Sequence, residues 1–200
     1  MNFLAHLYLS GTDPHVMVGN FIGDFVKGRH LEERFAPGVV QGIQLHRAID
    51  MFTDSHPVVS QSKARLRPKY RHYAPVIVDI FYDYYLAKNW SDYSPTLLPD
   101  FADHCYNTLE QHRPMLPPDV QQMLPYMIRG NWLVGYAHQE GIQRSLTGMS
   151  RRTRFDSKMD EAVNELRQWD TEFGEEFKAF FPDLVEHCRE ALGRGSAGGL

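Results

Sequence analysis

Apolar residues recur along nearly the whole chain at the three- and four-residue spacing of a helix face. Strict two-residue alternation, the mark of a half-buried strand, is nearly absent, and no Asn-Gly or Asp-Gly hairpin signal occurs. Proline-containing segments interrupt the pattern at 13–14, 37–38, 56–57, 68, 75, 95–99, 114–118 and 182, and the stretches between them have helical length. In "TDPHVMVGNFIGDFVKG" Asp13 is placed to cap a helix and Pro14 falls in its first turn. "APVIVDIFYDYYLAKNW" again carries a proline at its start, and "LPDFADHCYNTLEQHRP" runs into Pro114. Pro125, inside "PDVQQMLPYMIRGNWLVGYA", predicts a kink or break. From Arg152 to Phe181 the pattern predicts one long, charged amphipathic helix or two. The expected architecture is all-α: a single compact multi-helix domain over residues 1–192, followed by a flexible Gly-rich tail, 193–200.

Composition narrows the class. A chain of 200 residues suits one domain, and 42% hydrophobic content is enough to build a core. A formal net charge of -4 gives no bulk reason to expect nucleic acid as a partner. Cys105 and Cys188 have no metal-type spacing and form no disulfide framework, which fits a reducing cytoplasm. No apolar run approaches the roughly 18–20 residues of a membrane span. The opening "MNFLAHLYLSGTDPH" has no basic start and does not read as a signal peptide.

The informative anomaly is polar residues on apolar faces. With an advance of about 100° per residue, His46 and Asp50 of "GIQLHRAIDMFTD" lie within about 40° of each other. Ile43 and Ile49 bracket them, Thr53 falls on the same side, and Asp54 lies at its margin. In "VIVDIFYDYYLAKNW", Asp79 and Asp83 share a face with Val76, Leu86 and Trp90. Asp24 follows Asn20 by one turn beside Phe21, and His6 lies in the apolar amino-terminal stretch. Burying a carboxylate without a partner costs several kcal/mol, and two close together repel. Taken singly, these are a hydrogen-bonded core histidine or a solvated acid pair. Together they converge most simply on a divalent metal, whose charge keeps the acids ionised. Imidazole with carboxylate suits Mn, Fe, Zn or Ni.

Taken in order, "MNFLAHLYLS", "GNFIGDFVKG", "GIQLHRAIDMFTDSHP" and "APVIVDIFYDYYLAKNWS" resemble the acyl-carrier-protein phosphodiesterase family over at least residues 1–91. "NWLVGYAHQEGIQRSLTGMSRR" resembles it more loosely. The resemblance implies a helical fold related to HD-type metal phosphohydrolases. It implies removal of the 4'-phosphopantetheine arm from the serine of holo acyl carrier protein, with Mn2+ as the usual metal and Mg2+ or Fe2+ as substitutes. By the same resemblance Asp24 matches the metal-site aspartate and His46 with Asp50 the central helix, while His6 and Asp79 are further ligands. Asn20, Asp54 and Asp83 are then orienting groups behind them. The chain departs from the HD pattern in having Arg47 after His46, so that Asp50, one turn on, is the candidate for the missing carboxylate.

For the implied chemistry, Arg47 or Lys27 is placed to hold phosphate oxygens. For Arg47 a salt bridge to Asp50 or Asp54 is an equal alternative. The general acid is left open among His72, His15 and a metal-bound water. Two stretches without acids, "KARLRPKYRH" (Lys63, Arg65, Arg67, Lys69, Arg71) and "RSLTGMSRRTRF" (Arg144, Arg151, Arg152, Arg154), are candidate surfaces for an acidic carrier protein. The competing readings are an HD-like hydrolase of a nucleotide or other small phosphoester, and a helical interaction module without catalysis.

Overall fold

The computed structural model describes residues 1–196. The chain folds into one all-α domain with no strand among the described residues. Its helices are α1 (Phe3–Tyr8), α2 (Pro14–Ile22), α3 (Pro37–Ser55), α4 (Pro57–Tyr70), α5 (Ala74–Lys88), α6 (Leu98–Gln111), α7 (Pro118–Arg129), α8 (Trp132–Gly135), α9 (Gln139–Ser150), α10 (Val163–Gln168) and α11 (Asp170–Ser196). Most begin where the prolines predicted, because a first-turn proline gives up an N–H that has no partner there anyway. At α2, the Asp13 carboxylate accepts from the amides of His15 and Val16.

Three prolines do not break their helices. Pro68, Pro125 and Pro182 lie inside α4, α7 and α11. In α7 the carbonyl that Pro125 leaves without its usual donor is that of Gln121, and Arg113 Nη2 reaches it at 3.3 Å. The helix ends instead at Gly130 and Asn131, the latter at φ 42°. Around Pro182, the fully buried Phe180, Phe181 and Leu184 hold α11 on course. The helix expected from Arg152 starts only at Val163. Between them, side chains capture the backbone: Thr153 Oγ1 donates to the carbonyls of Ser150 and Phe155, and Asp156 accepts from the Lys158 amide. The tail was expected from residue 193, but α11 continues to Ser196; residues 197–200 lie outside the described residues.

α5 is the central element. Ile77, Val78, Ile80, Phe81, Tyr82 and Leu86 are all fully buried, so it has no solvated stripe. The Phe81 ring meets Phe173 of α11 edge-on, with centroids 5.2 Å apart, and Tyr82 packs on Phe177 and Phe180. α2 and α3 cross backbone to backbone. A Cβ on Gly19 would sit 2.1 Å from the Val39 carbonyl oxygen, and one on Gly42 2.2 Å from that of Val16. This crossing brings the Asn20 carbonyl against α3. Among the described residues no helix is long and apolar enough to cross a membrane, and Cys105 and Cys188 are buried and unpaired.

Candidate metal centre

Asn20 organises the site. Its amide nitrogen donates to the His6 carbonyl at 2.6 Å and to Ser10 Oγ at 3.0 Å, which fixes the amide's orientation. Its Oδ1 therefore faces His6 Nδ1 at 2.8 Å and can only accept. The Asn20 backbone carbonyl accepts from His46 Nδ1 at 2.7 Å. Both imidazoles thus commit Nδ1–H to one residue and aim Nε2 the other way, as metal-binding histidines are held by their outer partners. The rings stack with centroids 4.0 Å apart. Gly23 makes room for this arrangement, since a Cβ there would fall 2.2 Å from His46 Cγ.

Carboxylates stand where the Nε2 atoms point. Asp50 spans the pair, with Oδ1 3.3 Å from His6 Nε2 and Oδ2 3.2 Å from His46 Nε2. Asp24 Oδ1 lies 3.2 Å from His46 Nε2. Burial alone would lower the His46 pKa, but bonds to Asp24 and Asp50 outweigh it and raise the value to about 9. Burial lowers that of His6. Asp50 is held well below the usual carboxylate range: burial pushes it up, and the two histidines more than reverse that. One imidazolium at His46 satisfies its own neighbours. It leaves His6 Nε2 buried, close to Asp50 but outside hydrogen-bond geometry. A lone pair facing a carboxylate in a buried site calls for a cation between them.

Ligand atoms of His6, His46 and Asp50 lie within 4.8 Å of one another. Asp24, at the solvent side of His46, is not one of this trio, and neither is Asp79, which lines the same cavity as Asp50. The helical spacing that suggested His46 with Asp50 brings their side chains together, and Asn20 hydrogen-bonds both histidines. The Asp79 and Asp83 pair works differently. Asp79 Oδ1 bonds the buried Met1 ammonium at 2.9 Å. Asp83 is fully buried and accepts the amides of Asn2, Leu4 and Ala5 at 3.2, 2.8 and 3.3 Å, so it caps α1 rather than touching a ligand. Burial pushes the Asp83 carboxyl up to about 7 despite these donors.

Several expected roles are taken up elsewhere. Arg47 is exposed and its Nη2 donates to the carbonyls of Val26 and Gly28, tying down the loop after Asp24 rather than pairing with Asp50 or Asp54. Asp54 accepts from the buried Lys63 at 2.6 Å. The basic run of α4 is largely neutralised by acids distant in sequence. Arg65 binds Glu176 through both Nη atoms, at 2.8 and 2.7 Å, and Lys69 bridges Glu161 and Glu165. Arg67 and Arg71 remain exposed, as do Arg144, Arg151, Arg152 and Arg154. His15 lies beside Asp13 and His72 packs against Tyr73 with the rings tilted by 41°, and neither lines the centre's cavities.

Two cavities meet at the centre. One, of about 310 Å³, is walled by acids: Asp24, Asp50, Asp54 and Asp79, with the partnerless hydroxyl of Thr53. The other, of about 350 Å³, is mostly apolar, with Phe3, Phe25, Trp132 and Met149 beside Arg144 and Arg152. Asn2, Asp24 and Met149 line both. The second cavity was not foreseen, because its walls come from segments far apart in the chain.

A family model for acyl carrier protein phosphodiesterase matches residues 1–184. The acyl carrier protein phosphodiesterase of Photorhabdus laumondii is 36% identical over 187 residues, covering 93% of this chain and 94% of its own length. Those of Escherichia coli O45:K1 and Yersinia enterocolitica are 36% and 31% identical, covering 96% and 95% of this chain and 100% and 98% of theirs. No solved structure matches. A match running unbroken from the His6 helix into α11, with relatives alike over nearly their whole length, takes in every residue that builds the centre: the chain belongs to the acyl carrier protein phosphodiesterase family.

Proposed function

We propose that this hydrolase removes 4'-phosphopantetheine from the serine of holo acyl carrier protein at a manganese centre held by His6, His46 and Asp50, with Asp24 at its open side. The family supports the carrier protein as substrate. The metal reading is carried by one observation: both histidines spend Nδ1–H on Asn20 and aim Nε2 at carboxylates, with His6 Nε2 left partnerless. Two imidazoles with a carboxylate suit manganese or iron better than magnesium. When bound, the metal supplies Lewis-acid contact to the phosphoryl oxygens and a water of lowered pKa.

The chain's own residues do the rest. Asn20 holds both rings in the ligating tautomer. Asp24, whose carboxyl is lowered by its bond to His46, is ionised and sits where the two cavities join. Arg144 and Arg152, rather than Arg47, are placed to meet a phosphate there. The exposed arginines 144, 151, 152 and 154 form the surface offered to an acidic carrier protein, since Lys63, Arg65 and Lys69 of α4 are already paired with acids. We place the reaction in the cytoplasm, in keeping with two unpaired thiols.

The test is intact-mass analysis of holo carrier protein incubated with chelator-stripped enzyme, alone and after adding Mn2+, Mg2+ or Fe2+. The arm's mass should leave the carrier protein with Mn2+ and stay without metal. Full turnover by the stripped enzyme would sink the metal assignment.

A further inference from the structure

We infer that the apolar cavity between the metal centre and α8–α9 is the seat of the pantetheine arm, and that Gly148 keeps it open. The inference rests on the phosphodiesterase reading above. The arm is an uncharged chain with a gem-dimethyl group, two amides and a terminal thiol. It needs apolar walls, a few hydrogen-bonding groups, and a start at the phosphate.

The cavity meets each requirement. It starts at Asp24, which it shares with the acid-walled cavity over the centre. Its volume of about 350 Å³ falls at the lower end of small-molecule sites and holds a chain rather than a protein segment. Phe25, Met123, Trp132 and Met149 provide apolar wall. Polar groups stand among them: Ser145, and Asn2 with its Nδ2 donating to Tyr136 Oη at 2.9 Å. The arginines that line it suit the phosphate end, while the arm itself carries no charge for them to repel or bind.

The glycines of α9 carry the argument furthest. Gly141 has a packing reason, since a Cβ there would fall 2.0 Å from the Gly135 carbonyl oxygen. Gly148 has none: beyond its own helical turn and chain neighbours, no atom lies within 4 Å of where its Cβ would be, although it lines the cavity. A helix interior disfavours glycine, so one without a packing partner costs stability for nothing unless the space beside it is used. A Cβ at 148 would meet open space at the wall of the cavity, and a longer side chain built on it would take up cavity volume.

The experiment compares wild type, Gly148→Ala and Gly148→Leu, all expected to fold because both changes favour the helix. Holo carrier protein is one substrate. Methyl 4-nitrophenyl phosphate is the other, with a methyl group in place of the arm. Gly148→Leu should lower kcat/KM for holo carrier protein about 100-fold, as displacement of a bound substrate does. Gly148→Ala should stay close to wild type, and all three should cleave the methyl ester within about twofold of one another. Fluorine NMR of fluorotryptophan-labelled protein adds a readout without turnover. 4'-Phosphopantetheine should shift the Trp132 resonance in wild type and not in Gly148→Leu. The inference is overturned if Gly148→Leu processes holo carrier protein like wild type, if it loses the methyl ester equally, or if the resonance shifts in both proteins. Wild type that cleaves the methyl ester but spares holo carrier protein refutes the carrier-protein reading itself, and the arm assignment with it.

Discussion

At the scale of single residues, Asn20 and Asp50 do unlike jobs on the same two rings. Asn20→Ala removes the acceptor for His6 Nδ1 but leaves the backbone carbonyl that holds His46. It should therefore weaken manganese binding by roughly 10–100-fold without abolishing it, measured by calorimetry. Undiminished affinity would mean that His6 is not a ligand. Protonation gives a second expectation. In the metal-free protein His46 is raised from 6.5 to about 9, so its stabilising pair with Asp24 and Asp50 is complete below 6.5 and lost as pH climbs through about 9. A ligating imidazole must first give up that proton. Manganese binding near neutrality should then release about one proton, and affinity should rise about tenfold per pH unit toward 9. A binding enthalpy that is the same in buffers of different ionisation heat would contradict this. The helical wheel was enough to single out His46, Asp50 and Asn20, because their relations are local. It could not separate Asp79 from Asp83, whose partners lie 78 and 78–81 residues away at the amino terminus.

Helices present a different balance. α1 has six residues, too few to stand alone in water, yet it carries His6. Its first amides are held by Asp83 of the buried α5. Asp83→Ala leaves them without partners and should cost on the order of 2 kcal/mol, or about 4–8 °C in Tm. It should also loosen metal binding, although Asp83 touches no ligand. Asp79→Ala, which removes one partly exposed partner of the Met1 ammonium, should shift Tm less. Equal shifts would argue against the capping role. The helices themselves were legible from period and proline, because first-turn prolines obey local rules. The exceptions, Pro68, Pro125 and Pro182, were not, since their tolerance depends on tertiary partners such as Arg113.

For the whole molecule, charge distribution is the least legible property. The α4 cations look like a free basic patch in sequence, but the fold docks Arg65 on Glu176 of α11 and Lys69 on Glu161 and Glu165, and pairs Lys63 with Asp54. Arg65 also lies over the Phe173 ring, 5.0 Å from its centroid. Reversing Arg65 to Glu should lower stability by on the order of 3 kcal/mol, with little change in the salt dependence of turnover. Reversing Arg151 and Arg154, which are exposed and do not line the cavity, should do the opposite. The melting curve should hold, while kcat/KM for holo carrier protein falls about tenfold at low salt and converges with wild type at high salt. A salt-independent loss would move the carrier protein's docking surface elsewhere.

The glycine crossing of α2 on α3 has a practical consequence for anyone evolving this protein. This close contact, Gly19 on Gly42, flanks Asn20 and lies one turn before His46. Side-chain volume added there pushes apart the two helices that carry Asn20 and His46. Gains in heat tolerance must therefore come from remote positions, for instance along α6 and α7. Libraries that randomise residues 19–23 or 42–50 should return folded clones that have lost metal far more often than libraries elsewhere. Packing and the candidate centre share the same few atoms here, so selection on one is selection on the other.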